Sequence, residues 1–391
     1  MSSLRHATAT SPDARTKPRL LHLDWLRVLA MGAIFLFHNL RAYDFTDWHI
    51  KNGVTTQAAS SLVEILNHWM MPLFFVLSSA AIYHSLRTRT PRQFVTERFL
   101  RIAVPWLGLG MFVFGPLQVY VERLWHGDTS GGFLAFLPRY FDGFYGFGGN
   151  FAWMGLHLWY LMMLFLFVLL LLPFLLPVGR SGRSLLSRLS PSCRRAPVLL
   201  LLVVPLALAS LLTNALGLGV TREFGSWDLF SYLLFFIYGY VLHADQLVQA
   251  AIDRLRWPML VAALALIVLA GSMEPSASFQ WAVVRAACAW SCVLAILGFG
   301  HTRLNFSNGF VKRANEAVLP FYILHQPVIV AIAFFVVQMD APPVVKYLLT
   351  VVTSFVVIVA VYEYVVRRVG VLRFLFGMRP LLRAGDRLPT P

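Results

Sequence analysis

Long apolar runs separated by short polar stretches make up most of this chain. A helix that crosses the hydrocarbon layer needs about 20 mostly apolar residues, because each residue advances it by about 1.5 Å. Runs such as Leu161–Leu176 do not alternate in polarity, as the strands of a membrane barrel would. The sequence therefore predicts an all-α, polytopic membrane protein. Its ten predicted spans are 23–43, 60–84, 100–120, 153–178, 197–217, 227–247, 258–274, 280–301, 317–339 and 346–366.

The distribution of basic residues predicts which loops face the cytoplasm, because lysine and arginine are retained on that side. With the amino terminus inside, 25 of the 33 lysines and arginines fall in cytoplasmic segments, 5 fall outside and 3 fall within spans. Both termini are therefore predicted to be cytoplasmic. The transmembrane domain is predicted at 22–368, between a polar tail at 1–21 and a second cytoplasmic tail at 369–391.

Composition excludes several other classes of protein. Hydrophobic residues make up 58% of the 391 residues and charged residues 13%, whereas soluble domains contain about 45–50% and about 25%. The low charge density argues against a disordered chain, and three cysteines are too few for a disulfide-stapled secreted scaffold. Because the formal net charge of +15 has a membrane explanation, we predict no nucleic-acid partner.

Ionisable side chains inside the spans are the first candidates for chemistry, because each is costly there unless it is paired or hydrated. In the first span Arg27 and His38 are eleven residues apart, which brings a helix back to within about 20°. Both side chains therefore share one face, about 16 Å apart along the axis. Asp24 lies one turn before Arg27 and can pair with it. A histidine that only packs or forms a structural hydrogen bond is the alternative.

A second basic pair marks the start of the third span. Arg98 and Arg101 are three residues apart and so are neighbours on one face of a helix. Guanidinium groups bind phosphates well, so at the cytoplasmic boundary they could clamp the phosphates of a ligand. The alternative is ordinary, since basic residues flank many spans and face anionic lipid headgroups.

Weaker candidates are distributed over the other spans. They are His157 at the start of the fourth span, Glu64 and His68 one turn apart in the second, His325 in the ninth, and Arg285 with Glu363, opposite charges in the eighth and tenth spans that could neutralise each other. For each of them a structural hydrogen bond or ion pair is the competing explanation. The sequence has no Gly-rich phosphate loop, zinc-type Cys/His cluster or G-x-S-x-G motif, so we predict no metal site.

Several of these motifs resemble those of the acyltransferase-3 family of integral membrane acyltransferases. The arginine, ten intervening residues and histidine of Arg27–His38, followed by the R-x-x-R of Arg98–Arg101, are similar to that family's two signature motifs. The stretches MPLFFVLSSAAIYHSL, ERFLRIAVPW and HLWYL are also similar, and the likeness extends from about Leu23 to Arg368. Within the family, the chain resembles most the glucan biosynthesis protein C branch, which modifies periplasmic glucans.

The resemblance implies O-acyl transfer from a cytoplasmic acyl donor, usually acyl-CoA, to a carbohydrate on the far side of a bacterial-type inner membrane. In such an enzyme His38 would be the general base, since histidine needs little tuning for that role. Arg27, with Asp24 as its partner, would orient the site or bind the donor, and Arg98 with Arg101 would bind the donor. We predict transfer of an acetyl or succinyl group to a periplasmic or cell-surface glycan, such as an osmoregulated periplasmic glucan. We predict no bound cofactor, with acyl-CoA, the glycan and the lipid bilayer as partners.

Such a reaction requires that the polar side chains of the first and third spans line one compartment joining the two faces of the bilayer. The aromatic segment 133–153, in the longest outside loop, is expected to help recognise the acceptor. A transporter or flippase for a glycan or lipid precursor is the alternative, because it would use the same buried charges as its pathway. Movement of an acyl label from the donor to a glycan would distinguish the enzyme from the carrier.

Overall fold

The computed structural model describes residues 20–178, 183–217, 225, 227–273 and 278–379. The predicted tail at 1–21 lies almost wholly outside these residues, and so does the predicted carboxyl-terminal tail from residue 380 onward. The described chain is all-α, as predicted, apart from one antiparallel hairpin of β1 (Pro177–Val178) and β2 (Arg183–Ser184). Its α-helices are α1 Leu21–Leu40, α2 Gln57–Leu86, α3 Pro91–Arg98, α4 Gly115–Trp125, α5 Phe133–Phe136, α6 Trp159–Leu175, α7 Ala196–Leu201, α8 Val203–Ala215, α9 Leu229–His243, α10 Gln246–Gly271, α11 Phe279–Arg303, α12 Gly309–Val336, α13 Pro343–Val361 and α14 Gly370–Leu375.

Nine helical stretches among the described residues are long and apolar enough to cross a membrane. They coincide with nine of the ten predicted spans, so the protein is an integral, multi-pass membrane protein. The exception is the span predicted at 227–247, where α9 has only 15 residues. Asp228 begins this helix by accepting a hydrogen bond from the Ser231 amide at 2.8 Å, and Asp245 already caps α10. The two caps therefore limit the length of α9.

The third crossing is one continuous helix from Pro91 to Trp125, which is longer than the predicted span at 100–120. A capping box formed by Thr90 and Gln93 begins it. Between α3 and α4 the backbone is π-helical, at Phe99–Ala103 and Pro105–Phe114. Pro105 lacks the amide hydrogen that an α-helix requires, which favours such a local change of hydrogen-bond register.

Helices α2 and α11 form the centre of the bundle, whereas α10 and α13 lie at its edge. The buried share of the most apolar stretch is 67% in α2 and 72% in α11, against 17% in α10 and 22% in the crossing that contains α13. Close packing of α9 on α2 depends on Gly239, because a Cβ there would lie 2.2 Å from the Ser79 Oγ and 2.3 Å from the Val76 carbonyl oxygen. Polar side chains that face α2 and α11 are therefore well sheltered from lipid.

The two ends of the bundle carry different connections. At the end where α1 finishes, here called the His38 end, lie the loops at 41–56 and 126–155. The second loop folds back on the bundle, since the Tyr140 hydroxyl donates to the Met111 carbonyl at 2.6 Å and accepts from the Ala152 amide at 3.1 Å. The opposite end, here called the arginine end, contains the start of α1 and the α2–α3 connection.

Candidate active site

His38 lies two residues before the end of α1 and meets a second histidine on another helix. Its Nδ1 is 3.2 Å from Nε2 of His325, on α12, and 3.0 Å from the carbonyl oxygen of Ile34. His325 is fully buried, and the two rings meet edge to face with centroids 4.8 Å apart. The structure therefore brings together two of the candidate residues, from the first and ninth predicted spans.

The hydrogen bonds of this pair determine which nitrogen carries each proton. His325 Nδ1 lies 2.5 Å from the Tyr322 carbonyl, which can only accept, so a neutral His325 is protonated at Nδ1 and has a lone pair on Nε2. His38 then donates from its own Nδ1 to that lone pair, sharing the hydrogen with the Ile34 carbonyl. The Nε2 of His38 is left as a lone pair, and no protein atom of the described chain is bonded to it. This is the form of imidazole that acts as a base.

His157 completes a cluster of three histidines. Its ring centroid lies 5.1 Å from that of His325, and its Nε2 donates to the Ile323 carbonyl at 3.1 Å. That carbonyl is free because Pro327, one turn later in α12, has no amide hydrogen to offer it. The Tyr322 hydroxyl also donates to the His157 carbonyl. Within the described residues the His157 Nδ1 is buried without a partner.

A strained turn positions His157 at the start of the fourth crossing. Gly155 has φ +72°, and a Cβ there would lie 3.0 Å from the Trp106 side chain and 3.3 Å from the Gly110 Cα. Leu156 has φ +52° and is the one non-glycine residue of the described chain in this left-handed region. Such a conformation costs about 1–3 kcal/mol and tends to occur at functional sites.

A cavity of about 1150 Å³ lies at the His38 end and is lined by both His38 and His157. Glu64 and His68, also predicted as candidates, belong to its wall. Sites for drug-sized ligands measure about 300–1,000 Å³, so this one can accept a ligand larger than a single sugar ring. Aromatic side chains also contribute to the wall, namely Phe37, Phe45, Trp48, Tyr145, Trp153, Trp159 and Trp281.

A hydrogen-bonded network that sequence reasoning missed lies at the same cavity. His49 bonds through Nδ1 to the Glu122 carboxylate, which also accepts from the Tyr145 hydroxyl at 2.9 Å. The Gln326 amide donates to His49 Nε2 at 3.0 Å and to the Gln118 side chain at 3.1 Å. Gln326 directly follows His325, so this network and the histidine cluster are held by adjacent residues of α12.

The missed ionisable residues of this network lie outside the predicted spans. Glu122 lies just beyond the predicted end of the third span at 120, whereas α4 continues to Trp125. His49 lies in the 41–56 loop, where Arg41 pairs with Asp44 and Lys51 Nζ is 2.7 Å from an Asp44 oxygen. Burial lowers the pKa of the Lys51 ammonium, although its bond to Asp44 opposes that change.

The other predicted residues of the first span lie toward the arginine end. Arg27 Nη1 is 3.1 Å from an Asp24 carboxylate oxygen, so the pair forms as the spacing predicted. Next to it the rings of His22 and His301 meet with centroids 4.9 Å apart. Neither Arg27 nor Asp24 is part of the wall of the cavity at His38.

Arg98 and Arg101 lie at the arginine end and differ in how their guanidinium groups are held. Arg101 donates to Glu97 at 3.3 Å and to the Gly377 carbonyl at 3.1 Å. Arg98 lies over the Phe94 ring and makes one long bond of 3.4 Å to Ser85. Its Nε is buried without a partner among the described residues. Buried donors are normally satisfied, so this one is suited to a ligand.

Two further expectations have structural outcomes. The expected pair of Arg285 and Glu363 is wrong, because Glu363 bonds to Arg367 one turn away at 2.8 Å and Arg285 lies over the Trp227 ring at 4.1 Å. The compartment expected to join the first and third spans is not the cavity at His38, whose wall includes neither Arg98 nor Arg101. No group of three metal-ligating side chains that could hold an ion occurs among the described residues.

Comparison with known protein families indicates the class of protein to which this chain belongs. The acyltransferase-3 family, described as an acyltransferase domain, matches residues 20–363 and so covers the histidine cluster, the cavity and both arginine motifs. Among curated proteins and among solved structures, no match to the chain was found. The family match extends over most of the chain, from the start of α1 into the last crossing. The chain therefore belongs to the acyltransferase-3 family, and the protein is a membrane-bound acyltransferase.

Proposed function

We propose that the protein transfers an acetyl or succinyl group from cytoplasmic acyl-CoA to a hydroxyl of a carbohydrate bound at the His38 end. An osmoregulated periplasmic glucan is the proposed acceptor, as in the glucan biosynthesis protein C branch, and the bacterial cytoplasmic membrane is the proposed location. The observation that supports the proposal most is the unbonded Nε2 of His38 on the wall of a large polar cavity. A membrane helix that ends in a base beside a ligand-sized space is suited to activating a hydroxyl.

The transfer needs one base, which takes a proton from the acceptor hydroxyl and then gives that proton to the thiolate. His38 Nε2 takes the proton from the acceptor hydroxyl as the hydroxyl oxygen attacks the thioester carbonyl carbon. The tetrahedral intermediate collapses by breaking the carbon–sulfur bond, and the thiolate takes the proton from Nε2. The ester and the free thiol are the products. Throughout, the His325 Nε2 accepts from His38 Nδ1, so it orients the ring and stabilises the imidazolium form.

The arginine end suits the donor. Acyl-CoA carries phosphate groups, and the basic side chains there include Arg98, with its unpaired buried Nε, beside Arg101. The same end is assigned to the cytoplasm by the distribution of lysine and arginine along the sequence. Arg27 lies between this end and His38, about 16 Å along α1 from the base. The proposed transfer therefore requires the acyl arm of the donor to reach from the arginine end along the bundle to His38.

The cavity at His38 suits a neutral acceptor. Its wall contains both carboxylates and guanidinium groups in similar number: Asp44, Asp47, Glu64, Glu122, Arg41, Arg123 and Arg285. Opposite charges of similar number produce no strong net field for an anion. Aromatic faces beside hydrogen-bonding groups match a sugar, which has apolar ring faces and polar edges. Gly146, Gly148 and Trp153, from the segment 133–153, are part of this wall, which supports a role of that segment in acceptor recognition.

Covalent transfer tests the proposal directly. Purified protein in sealed proteoliposomes is supplied with acyl-labelled acetyl-CoA or succinyl-CoA on one side and glucan on the other. We expect labelled ester on the glucan, detected by mass spectrometry and released by mild alkali. If intact glucan or an intact precursor crosses the bilayer without gaining label, the protein is a carrier and the proposal is wrong.

Replacement of His325 tests the proposed orientation of the base. We expect His325→Phe to lower kcat by about tenfold to a hundredfold, because the His38 Nδ1–H keeps only the Ile34 carbonyl as acceptor and the imidazolium form loses the His325 lone pair. His325→Gln offers a side-chain oxygen as acceptor, so part of the activity should return while KM for both substrates stays near the wild-type value. Equal loss in both variants, or a loss confined to KM, would show that His325 only packs against its neighbours.

A further inference from the structure

One part of the cavity wall is formed by helices that do not contain the histidine cluster. This part, here called the α2–α8–α11 wall, consists of Glu64, Asn67, His68, Ser210, Asn214 and Arg285. Trp281, on α11, lies beside it and is also part of the wall. His38, His157 and His325 belong to α1, to the start of the fourth crossing and to α12. The cavity therefore extends from the base to a separate polar surface.

Arg285 is an unusual residue for a membrane helix. Only 8% of it is exposed, it is stacked on Trp227, and its charge is opposed by the nearby carboxylates of Asp228 and Glu64. A charge in this position is costly, and such residues usually line a pathway or a binding site. The two opposing carboxylates argue against an anion as the ligand of this wall. A lipid chain is equally unsuitable, because it could satisfy none of these polar groups.

Asn214 shows that the wall has hydrogen-bonding capacity to spare. The residue is half-buried at the end of α8 and lines the cavity, and no hydrogen bond of its amide side chain occurs within the described chain. An amide group supplies both donors and acceptors, and so do the neighbouring histidine and serine. Beside the plane of Trp281, this combination fits a neutral polyhydroxylated ring.

We propose that the α2–α8–α11 wall is a second sugar-binding subsite, which holds a glucose unit next to the one whose hydroxyl reaches His38. This inference rests on the proposed function, and it assigns two neighbouring units of the acceptor chain to separate parts of one cavity. Binding energy from the second unit would be used to position the reacting hydroxyl, so it would raise kcat/KM and not only affinity. The cavity volume of about 1150 Å³ is large enough for such a chain.

The test compares acceptors of different length. With purified protein and acetyl-CoA or succinyl-CoA, we expect kcat/KM to be higher for gluco-oligosaccharides of two to six units than for methyl β-glucoside. In Asn214→Ala the value for the oligosaccharides should fall by about three- to tenfold, while that for methyl β-glucoside stays unchanged. Arg285→Gln should show the same pattern with a larger loss. The control Asn305→Ala removes an exposed amide at the arginine end and should change neither value.

Calorimetric binding of the same sugars separates this inference from the proposed function. Oligosaccharide binding that Asn214→Ala weakens, in a protein that transfers no acyl group, would support the subsite and overturn the proposed function. Acyl transfer at a rate that is independent of acceptor length would support the proposed function and overturn the subsite. A loss in Asn214→Ala that is equal for methyl β-glucoside and for the oligosaccharides would also overturn the subsite.

Discussion

Replacement of His38 by alanine is expected to lower the rate of acyl transfer by roughly two to four orders of magnitude. The Nε2 of His38 is an unbonded imidazole nitrogen on the cavity wall, and the variant removes it together with the bond from Nδ1 to His325. The measurement is the initial rate of ester formation by purified protein, at saturating donor and acceptor. Because the ring is half-buried near the end of α1, we expect normal amounts of protein in the membrane.

A matched variant separates catalysis from a general effect of losing a histidine. His126 is exposed in the loop that follows α4, at the same end of the bundle. His126→Ala should therefore retain the wild-type rate and membrane level. Near-normal acylation by His38→Ala would remove this residue from the mechanism, and the proton acceptor would have to be sought elsewhere on the cavity wall.

The second large effect is expected on the donor. Arg98→Ala should weaken acyl-CoA binding by about tenfold to a hundredfold, since hydrogen bonds of charged groups contribute about 1.5–3 kcal/mol each. The loss should be seen as a higher donor KM and a higher Kd for CoA, with little change in the acceptor KM. The difference in CoA affinity between the wild type and Arg98→Ala should also decrease as the salt concentration rises, because the interaction with phosphate is electrostatic.

Arg92 offers the control for this experiment. It lies on the same helix, α3, but is exposed to solvent, and Arg92→Ala should leave donor affinity unchanged. If Arg98→Ala has the same donor affinity as the wild type, its guanidinium serves the lipid headgroups or the fold. The phosphates would then have to be bound by other basic groups of the arginine end.

The crossings were predictable because the requirement that creates them is local. Twenty apolar residues in a row cross the bilayer whatever surrounds them, and nine predicted spans are crossings in the structure. The span predicted at 227–247 was too long because α9 begins after its cap at Asp228 and α10 already begins after its own cap at Asp245, and hydropathy does not register caps. The third span was too short for the same reason, since the Thr90 capping box begins it at Pro91.

The candidate site was only partly predictable. Periodicity paired Arg27 with Asp24, because that relation lies within one turn of one helix. The contact between His38 and His325 joins residues 287 positions apart, and no local pattern indicates which helices will be neighbours. The π-helical stretches alter rotation along the third crossing, so a count of 100° per residue cannot orient Glu122 relative to Arg98.

The hydrogen-bonded histidine pair ends on the Tyr322 carbonyl, which cannot take up a proton. A proton that His38 removes from the acceptor therefore cannot leave through His325, and in the proposed mechanism it returns from Nε2 to the departing thiolate. For an acetyl group, one hydrogen replaces a neutral group on the thiol, and every reactant and product keeps its charge. Acetyl transfer should then be electroneutral and indifferent to the protonmotive force, whereas a succinyl group would carry one carboxylate charge with it. An uncoupler added to energised vesicles should leave the rate of acetyl transfer unchanged, and a slower rate would indicate a second route for the proton.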